Sequence, residues 1–366
     1  MKVLQIANGY LDKPLYKNLF TSLSKLGVDS TIFVPVQKGK YRNLTNDDGV
    51  IVSECFTELD RYLFFTKQYK ILNQTRKIGF EELDIVHAHT LFSTGYTAFQ
   101  IKKRKDIPYI VAVRNTDVNL FFKKMPWLRN LGVRVMVEAE YIVFLSQSYA
   151  DYVINHYVPK QYKSIILDKI RILPNGIDSY FIDHKINRKE QKDDFLRIIQ
   201  IGDIDDNKNV EMTLNAVKKF NKVRKTRLTV VGEIKEERFK KVFFDNNDVV
   251  NYIPKQGKEN IVKLLRKSDI LCVPSHKETF GLVYAEAMSQ GVPVIYTKGQ
   301  GFDGQFENGI IGYAVDENDV EQIIEAFTLI SANFTKISMN CINNCDRYSW
   351  DNIAEQYQKL YHSIKK

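Results

Sequence analysis

Short apolar runs alternate with longer amphipathic segments along almost the whole chain. In the first half, strands are predicted at Lys2–Ala7, Ser30–Val36, Asp84–Ala88, Tyr109–Val113, Tyr141–Leu145 and Arg171–Leu173. In the second half, strands are predicted at Leu196–Ile201, Leu228–Val231, Val249–Tyr252, Ile270–Val273, Val292–Tyr296 and Gly312–Val315. Short apolar strands that alternate with helices are typical of parallel sheets covered on both faces. The pattern therefore predicts an α/β protein with two doubly wound domains in series.

A polar, highly charged stretch at 187–194 interrupts this alternation near the middle of the chain. We expect an N-terminal domain at 1–180, a linker at 181–194 and a C-terminal domain at 195–346. The remaining segment, 347–366, predicts an amphipathic helix with Ser349 as its N-cap. The pattern leaves open whether this last helix packs on its own domain or returns to the first one.

Composition narrows the class of protein without choosing a function. A chain of 366 residues with 44% hydrophobic residues can bury two cores. No segment reaches the ~18 consecutive apolar residues of a membrane span, and the four cysteines form no C-x-x-C pair. These features predict a cytoplasmic protein without structural zinc. The formal net charge of +9 favours an anionic partner, such as a nucleotide diphosphate, a lipid phosphate or a nucleic acid.

The most informative stretch lies between the predicted strands Ile270–Val273 and Val292–Tyr296. It predicts a helix over about 282–290, which ends at Gly291. Glu278 precedes the helix and Glu286 lies within it, eight positions later. The face expected to pack on the sheet consists of Leu282, Ala285, Met288 and Ser289.

This stretch combines two kinds of binding group. The backbone N–H groups of Phe280, Gly281 and Leu282 stand where the helix begins, and a helix N-terminus favours anions such as phosphate. The two glutamates suit hydroxyl groups and repel phosphate. A ligand that carries both phosphates and hydroxyls is a nucleotide sugar.

The arrangement E-x7-E, with F-G-L inside and G-V-P-V after it, resembles the retaining glycosyltransferases of family 4, also called glycosyl transferases group 1. The sequence Pro174-Asn175-Gly176-Ile177-Asp178 matches another motif of this family almost letter for letter. The resemblance implies a GT-B fold, in which two Rossmann-like doubly wound domains face a cleft. It also implies that the last helix returns to the first domain.

The resemblance assigns donor contacts in the second domain. Glu278 would contact the donor sugar and Glu286 the ribose, while Gly202 and Lys208 lie near the diphosphate. Gly232 matches a glycine loop near the nucleotide. The family usually has arginine directly after the first glycine, but this chain has Asp203 there, so the phosphate site lacks one expected cation.

Asp203 also begins a D-x-D pattern with Asp205, which could hold a divalent cation on a diphosphate. That motif belongs to the other large glycosyltransferase fold, and an acidic loop is commonly just solvated. We therefore expect no metal ion and no cofactor other than the nucleotide-sugar substrate.

Residues of the first domain are candidates for the acceptor side. Arg114 stands where many family members have histidine, and because arginine stays protonated it suits an anionic group and not proton abstraction. Asp117 is the nearby carboxylate for an acceptor hydroxyl. The other residues predicted at the cleft follow strand ends or mark the hinge: Gly9, His89, Ser146 and Asn175.

Two segments of the first domain interleave basic and aromatic residues, at 61–70 and 121–129. They suit an anionic membrane surface, although amphipathic helices with solvated lysines would show the same pattern. No fold that binds nucleic acid is indicated, so we expect no nucleic-acid partner.

With the family resemblance, these features predict a metal-independent, retaining hexosyltransferase that moves a sugar from a nucleotide sugar to a glycan or lipid-linked acceptor. Glu278, Lys208, Arg114 and Asp117 are the predicted catalytic residues. Cell-surface polysaccharide or glycolipid synthesis fits this chemistry, with peripheral association at the inner face of the membrane. The sequence leaves open a GT-B sugar phosphorylase, a nucleotide-sugar epimerase and an inactive GT-B binding protein.

Overall fold

The computed structural model describes residues 1–41, 49–186 and 195–364. The chain divides into two compact units. Unit 1 comprises Met1–Leu145, Ala150–Pro174 and the C-terminal segment from Trp350, and unit 2 comprises Ser146–Tyr149 and Asn175–Ser349. The compact units divide after Pro174, a few residues before the boundary predicted at residue 180. Most of the predicted linker, 187–194, lies outside the described residues.

Unit 1 contains a seven-stranded sheet in which every neighbouring pair is parallel. Its strands are β1 (Lys2–Ile6), β2 (Asp29–Gln37), β3 (Val50–Phe56), β4 (Ile85–Ala88), β5 (Tyr109–Ala112), β6 (Tyr141–Phe144) and β7 (Ile170–Ile172). The spatial order is β3-β2-β1-β4-β5-β6-β7. The direction of winding therefore reverses between β1 and β4, where ligands of open α/β sheets bind.

Helices connect the strands of unit 1. They are α1 (Pro14–Lys25), α2 (Phe64–Gln74), α3 (Gly95–Lys105), α4 (Arg129–Glu138), α5 (Gln147–Tyr157) and α6 (Lys160–Lys169). Shorter helical turns lie at Leu59–Arg61, Thr75–Lys77, Asp117–Phe122 and Pro126–Leu128. The Asp117–Phe122 turn is a π-helix.

Unit 2 repeats the same plan with six parallel strands. They are β8 (Leu196–Ile201), β9 (Thr226–Val231), β10 (Val250–Ile253), β11 (Ile270–Val273), β12 (Val294–Thr297) and β13 (Gly312–Val315). The order β10-β9-β8-β11-β12-β13 places the reversal between β8 and β11. The loops after these two strands are those that carry Lys208 and Glu278.

The helices of unit 2 are α7 (Ser179–Asp183), α8 (Val210–Phe220), α9 (Arg238–Phe244), α10 (Lys258–Arg266), α11 (Leu282–Ser289), α12 (Val320–Ala332) and α13 (Phe334–Cys345). Short 3-10 turns lie at Asp206–Lys208 and Asp346–Tyr348. Among the described residues, no helix has both the length and the apolar character needed to cross a membrane.

The last helix, α14 (Trp350–Ile364), belongs to unit 1 and packs against α1. Trp350, Ile353, Tyr357 and Tyr361 are buried in the same core as β1. Their spacing of three or four residues places them on one helical face, so the segment leaves only its polar face to solvent.

Two sequence predictions about elements were wrong. The strand β3 was missed, although its β-branched run Val50-Ile51-Val52 is typical of a strand. In α11, Leu282 was expected on the packing face, but its side chain is 37% exposed. The buried residues of α11 are instead Tyr284, Ala285, Ala287, Met288 and Ser289.

Candidate active site

Glu278 and Lys208 form an ion pair at the reversal point of unit 2. The Lys208 Nζ lies 2.7 Å from a carboxylate oxygen of Glu278, and the two side chains are only 20% and 16% exposed. The two residues follow β8 and β11, which are neighbours in the sheet although 70 positions separate the pair. Partial burial strengthens the attraction between the charges and fixes where both side chains point.

Backbone and side-chain hydrogen bonds hold the Glu278 loop from two sides. On one side, Asn207 Nδ2 donates to the carbonyl of Lys277, and the Lys277 N–H donates back to Asn207 Oδ1. On the other, the Glu278 N–H donates to Gln300 Oε1 at 3.0 Å, and the Gly301 N–H donates to the Glu278 carbonyl at 2.8 Å. The main chain of Glu278 is therefore fixed independently of its ion pair.

The close approach of the 299–301 segment depends on glycine. A Cβ atom at Gly301 would lie 1.9 Å from the carbonyl oxygen of Thr279, which no side chain can tolerate. Because the two backbones touch, the Gly301 loop sets the position of the chain immediately before α11. This contact and the Asn207 and Gln300 bonds were not predicted from the sequence. The sequence carries only a weak signal for the contact, namely three glycines at 299, 301 and 304, because glycines in a loop usually mark turns.

Gly281 begins α11 from a left-handed backbone conformation, with φ of +78°. A Cβ atom there would also lie 2.3 Å from the Tyr284 ring, so both conformation and space favour glycine. Phe280 is buried beside Phe302, at 5.9 Å between ring centroids. The first turn of α11 thus lies beside the Lys208–Glu278 pair, where a helix N-terminus favours negative charge.

Glu286 lies on the half-buried side of α11. Burial, together with the negative charge of Asp178, raises the pKa of its carboxyl to about 7. Asp178 itself pairs with Lys258 at 3.0 Å. A carboxyl that titrates near neutral pH in a ligand site is a frequent mark of function.

Gly202 and Gly232 allow the ends of β8 and β9 to touch. A Cβ atom at Gly232 would lie 1.8 Å from the carbonyl oxygen of Gly202. The aliphatic part of Lys208 covers Gly202, since a Cβ atom there would lie 3.2 Å from the lysine Cε. Both glycines therefore allow the close packing of the backbone beneath Lys208.

The carboxylates of the acidic loop after β8 interact with neighbouring residues of unit 2. Asp205 Oδ1 accepts the Lys208 N–H at 3.0 Å, and Asp206 pairs with Arg238. Asp203 is exposed and lies close enough to Lys235 to help raise its pKa. Within the described residues, no group of three or more His, Cys, Asp and Glu side chains could hold a metal ion.

In unit 1, Asp117 fixes the loops after β4 and β5. Its carboxylate accepts N–H groups of Leu91 and Phe92 at 3.0 Å and that of Arg114 at 2.8 Å. The side chain is 1% exposed, and burial raises its pKa to about 6. The predicted contact of Asp117 with an acceptor hydroxyl is therefore corrected, because backbone donors occupy a carboxylate that solvent barely reaches. Asp117 positions Arg114.

His87 and His89 are fully buried, and the charge of Arg114 acts on both. His87 Nδ1 is 2.7 Å from the Tyr361 hydroxyl, and His89 Nε2 is 2.8 Å from Gln5 Oε1. Burial lowers the pKa of His87 to about 3 and that of His89 well below its usual value, and the positive Arg114 adds to both effects. The placement of His89 at an accessible cleft is thus corrected, since it is a neutral core residue.

The other residues predicted at the cleft fall in different units. Gly9 follows β1 in unit 1, close to the ring of Tyr16. Ser146 and Asn175 group with unit 2, and Ser146 is fully buried. The structure therefore brings the donor-side residues together within unit 2 but does not gather the predicted acceptor residues in one unit.

Comparisons with known proteins agree with this architecture. A family model described as Glycosyl transferases group 1 matches residues 182–348, and one described as Glycosyltransferase Family 4 matches residues 16–180. An uncharacterized glycosyltransferase of Methanocaldococcus jannaschii is 22% identical over 316 residues, covering 78% of this chain and 76% of its own length.

Solved structures match the complete chain. A sucrose-phosphate synthase of Thermosynechococcus elongatus has a TM-score of 0.76 at 16% identity, covering 100% of this chain and 99% of its own. An Anabaena protein in complex with UDP-glucose has a TM-score of 0.65 at 15% identity, covering 99% and 100%. At such low identity these likenesses concern the fold alone. With the two adjoining family matches, they place the chain among the GT-B glycosyltransferases of group 1.

Proposed function

We propose that this protein is a retaining hexosyltransferase that moves a sugar from a nucleotide sugar to a glycan or lipid-linked acceptor. The Lys208–Glu278 ion pair beside the first turn of α11 is the observation that supports this proposal most strongly. It offers a cation and N–H groups for a diphosphate, and a carboxylate for sugar hydroxyls, within one loop cluster.

Donor binding would exchange the partner of Lys208. In the free protein its ammonium pairs with Glu278, whereas a bound diphosphate would attract the same ammonium more strongly because it carries more charge. Glu278 would then accept hydroxyl groups of the donor sugar, held in place by the bonds of its main chain to Gln300 and Gly301.

The chemical step would break the bond between the anomeric carbon and the diphosphate. Lys208 and the N–H groups at the start of α11 would stabilise the negative charge that develops on the leaving phosphate. The acceptor oxygen would attack from the same face, and its proton would pass to the departing phosphate oxygen, so that the configuration is retained. Lysine and backbone donors supply the positive charge in this scheme, and we therefore propose that transfer requires no metal ion.

The remaining contacts suit a nucleotide and an anionic acceptor. Glu286 would accept ribose hydroxyls, and because the Anabaena neighbour is described with UDP-glucose, UDP is the first nucleotide to test. Arg114 would bind an anionic acceptor group, phosphate or uronate. We place the reaction at the cytoplasmic face of a membrane, in the synthesis of a cell-surface polysaccharide or glycolipid.

The test combines binding with turnover. Calorimetry with UDP and other nucleoside diphosphates should show binding that Glu286→Ala weakens about tenfold or more. A screen of UDP-sugars that detects released UDP in the presence of EDTA should show turnover that Glu278→Ala reduces by about a hundredfold, the scale of a lost transition-state contact. Glu355→Ala, an exposed change on α14, is the matched control.

Each contrary outcome has a defined meaning. The absence of binding by any nucleoside diphosphate would contradict the enzyme proposal. Binding without turnover on any donor and acceptor would favour an inactive GT-B binding protein. Equal turnover of the parent, Glu278→Ala and Glu286→Ala would show that the site is assigned wrongly. Hydrolysis or epimerisation without an acceptor would replace transfer with another reaction of the nucleotide sugar.

A further inference from the structure

Large apolar side chains are exposed in two segments of unit 1. Tyr62 is 81% exposed, Phe65 58% and Trp127 70%. Other exposed apolar residues in the same two segments are Leu59, Leu63, Tyr69 and Leu120. Single exposed apolar residues are common on any protein, but a contiguous group of this size usually marks an interaction surface.

The fold brings the two segments together. Residues 61–68 and the side chains of Phe121, Met125 and Trp127 line one groove with a volume of about 360 Å³. Phe64 connects its two sides, with its ring centroid 6.0 Å from that of Phe121. The apolar groups therefore form one continuous surface, although about 60 residues of sequence lie between Phe64 and Phe121.

A packed base supports the exposed side chains. Phe121 stacks on the buried Phe92, with 4.7 Å between the ring centroids. The buried Gln68 donates to the carbonyl of Phe92 at 3.3 Å and so ties α2 to this base. These contacts hold in place the chain segments that carry the exposed rings.

Basic residues belong to the same two segments, and Arg61 lines the groove itself. Arg61, Lys123 and Lys124 are exposed, and the two lysines directly follow Phe121 and Phe122 in the sequence. Of the nearby acidic residues, Asp60 is already paired with Lys70, and Glu58 is exposed. The surface, which we call the basic–aromatic patch, comprises Arg61, Tyr62, Leu63, Phe65, Tyr69, Lys123, Lys124 and Trp127.

We infer that the basic–aromatic patch docks the protein on an anionic lipid bilayer. Tyrosine, tryptophan and phenylalanine insert at the boundary between headgroups and acyl chains, while lysine and arginine pair with lipid phosphates. Lysine is depleted at the core of protein–protein interfaces, so the mixture of exposed rings and lysines favours a membrane over a second protein. This inference names the surface by which the protein would reach the membrane location given under the proposed function.

The patch also connects to Arg114. The Phe92 N–H donates to one oxygen of Asp117, and the other oxygen accepts the Arg114 N–H. Asp117 thus ties the loop of Arg114 to the base of the patch, and a lipid-anchored acceptor with an anionic headgroup is the ligand that we propose for Arg114 on a docked protein. The inference rests on the proposed function only for this acceptor, because docking itself requires no sugar transfer.

Sedimentation with phosphatidylcholine vesicles, with and without phosphatidylglycerol, tests the inference without any donor or acceptor. The parent should bind vesicles that contain phosphatidylglycerol, and added salt should weaken the binding. Replacing Arg61, Lys123 and Lys124 by glutamine should weaken it about fivefold per residue, or about a hundredfold for the triple variant. Replacing Tyr62, Phe65 and Trp127 by serine should abolish the binding that persists at high salt.

Matched controls lie on unit 2. Phe244→Ser removes an aromatic side chain that is 76% exposed, and replacing Lys218, Lys222 and Lys241 by glutamine removes three exposed cations. Both controls should bind vesicles like the parent. The inference is overturned if the parent does not bind the vesicles, or if the controls on unit 2 weaken binding as much as the patch variants do. If the parent forms dimers but binds no vesicles, and the serine variant is monomeric, the patch binds a second copy of the chain and the inference is wrong.

Vesicle binding and turnover separate the two proposals. A parent that binds vesicles but releases no UDP would leave docking intact and contradict transfer. A parent that transfers sugar to a soluble acceptor but binds no anionic vesicle would contradict docking alone.

Discussion

At the scale of single residues, surroundings assign different roles to carboxylates that look alike in the sequence. Glu278 pairs with Lys208 and stays beside a helix N-terminus, whereas burial raises the pKa of Glu286 to about 7. Asp117 is turned inward by three backbone N–H groups and acts on Arg114. Burial and hydrogen bonding thus decide whether each carboxylate is available to a ligand.

The raised pKa of Glu286 predicts a pH-dependent stability. The folded protein binds the Glu286 proton more tightly than the unfolded chain, whose glutamate has the ordinary pKa of 4.5. The protonated carboxyl therefore stabilises the fold fully below pH 4.5. This contribution is lost as the pH rises from 4.5 to about 7. Urea unfolding should therefore show that Glu286→Gln gains stability relative to the parent as the pH rises through this window. A constant difference between the two proteins from pH 4.5 to 8 would contradict the shift.

At the scale of elements, three loops of unit 2 determine where Glu278 lies. Asn207 follows β8, Glu278 follows β11 and Gln300 follows β12, and these three strands are consecutive in the sheet. Parallel strands bring their carboxyl ends to one edge, so side chains in these loops can bond to each other's backbone. The Gly301 contact adds a steric limit to this arrangement.

We predict that Gln300 acts as a positioning residue for Glu278. Gln300→Ala removes the acceptor of the Glu278 N–H and should lower turnover about tenfold, the effect of a lost bond of roughly 1–2 kcal/mol. Nucleotide binding should change little, because Glu286 and Lys208 remain in place. Steady-state kinetics with calorimetry measure both effects, and an unchanged kcat would contradict the prediction.

Gly301→Ala should have a larger effect on the same step because its Cβ atom would displace the Thr279 backbone. We expect a loss of turnover greater than that of Gln300→Ala, together with a lower melting temperature. Gly257→Ala is the control in unit 2, since there an added Cβ atom meets only the end of a glutamate side chain, at 3.3 Å. Equal kinetics of the two alanine variants would contradict the role of the close contact.

At the scale of the whole molecule, the C-terminal helix completes the unit that begins with residue 1. The Tyr361 hydroxyl lies 2.7 Å from His87 and accepts a bond from Gln5 at 3.3 Å, both in the buried centre of unit 1. Tyr357 from the same helix hydrogen-bonds Arg114. The end of the chain therefore supports the polar cluster beneath a predicted acceptor residue.

Tyr361→Phe should lower the free energy of unfolding by about 1–3 kcal/mol, because it leaves buried polar groups of His87 and Gln5 without this partner. Urea unfolding at neutral pH measures the change. Tyr162→Phe, at a partly exposed position of α6, should remain within about 0.5 kcal/mol of the parent. Equal stability of both variants would show that Tyr361 contributes only its ring.

Most strands and the donor-side motif follow from local pattern, since burial in a parallel sheet requires apolar runs and the start of α11 requires glycine. The E-x7-E stretch also placed the family, and the parallel two-unit architecture was predicted correctly. The strand β3 was not predicted, although its run Val50-Ile51-Val52 is typical of a strand. Leu282 was misassigned because helical spacing does not show which flank of a short helix meets solvent.

The sequence by itself determined which elements form and which charged residues follow them, because these depend on neighbours within a few positions. Only the tertiary structure decided that Asp117 holds the Arg114 loop, that Asn207 and Gln300 hold Glu278, and that two distant segments share one basic–aromatic patch. Each of these depends on side chains or loops that only the order of strands in the sheets brings within bonding distance.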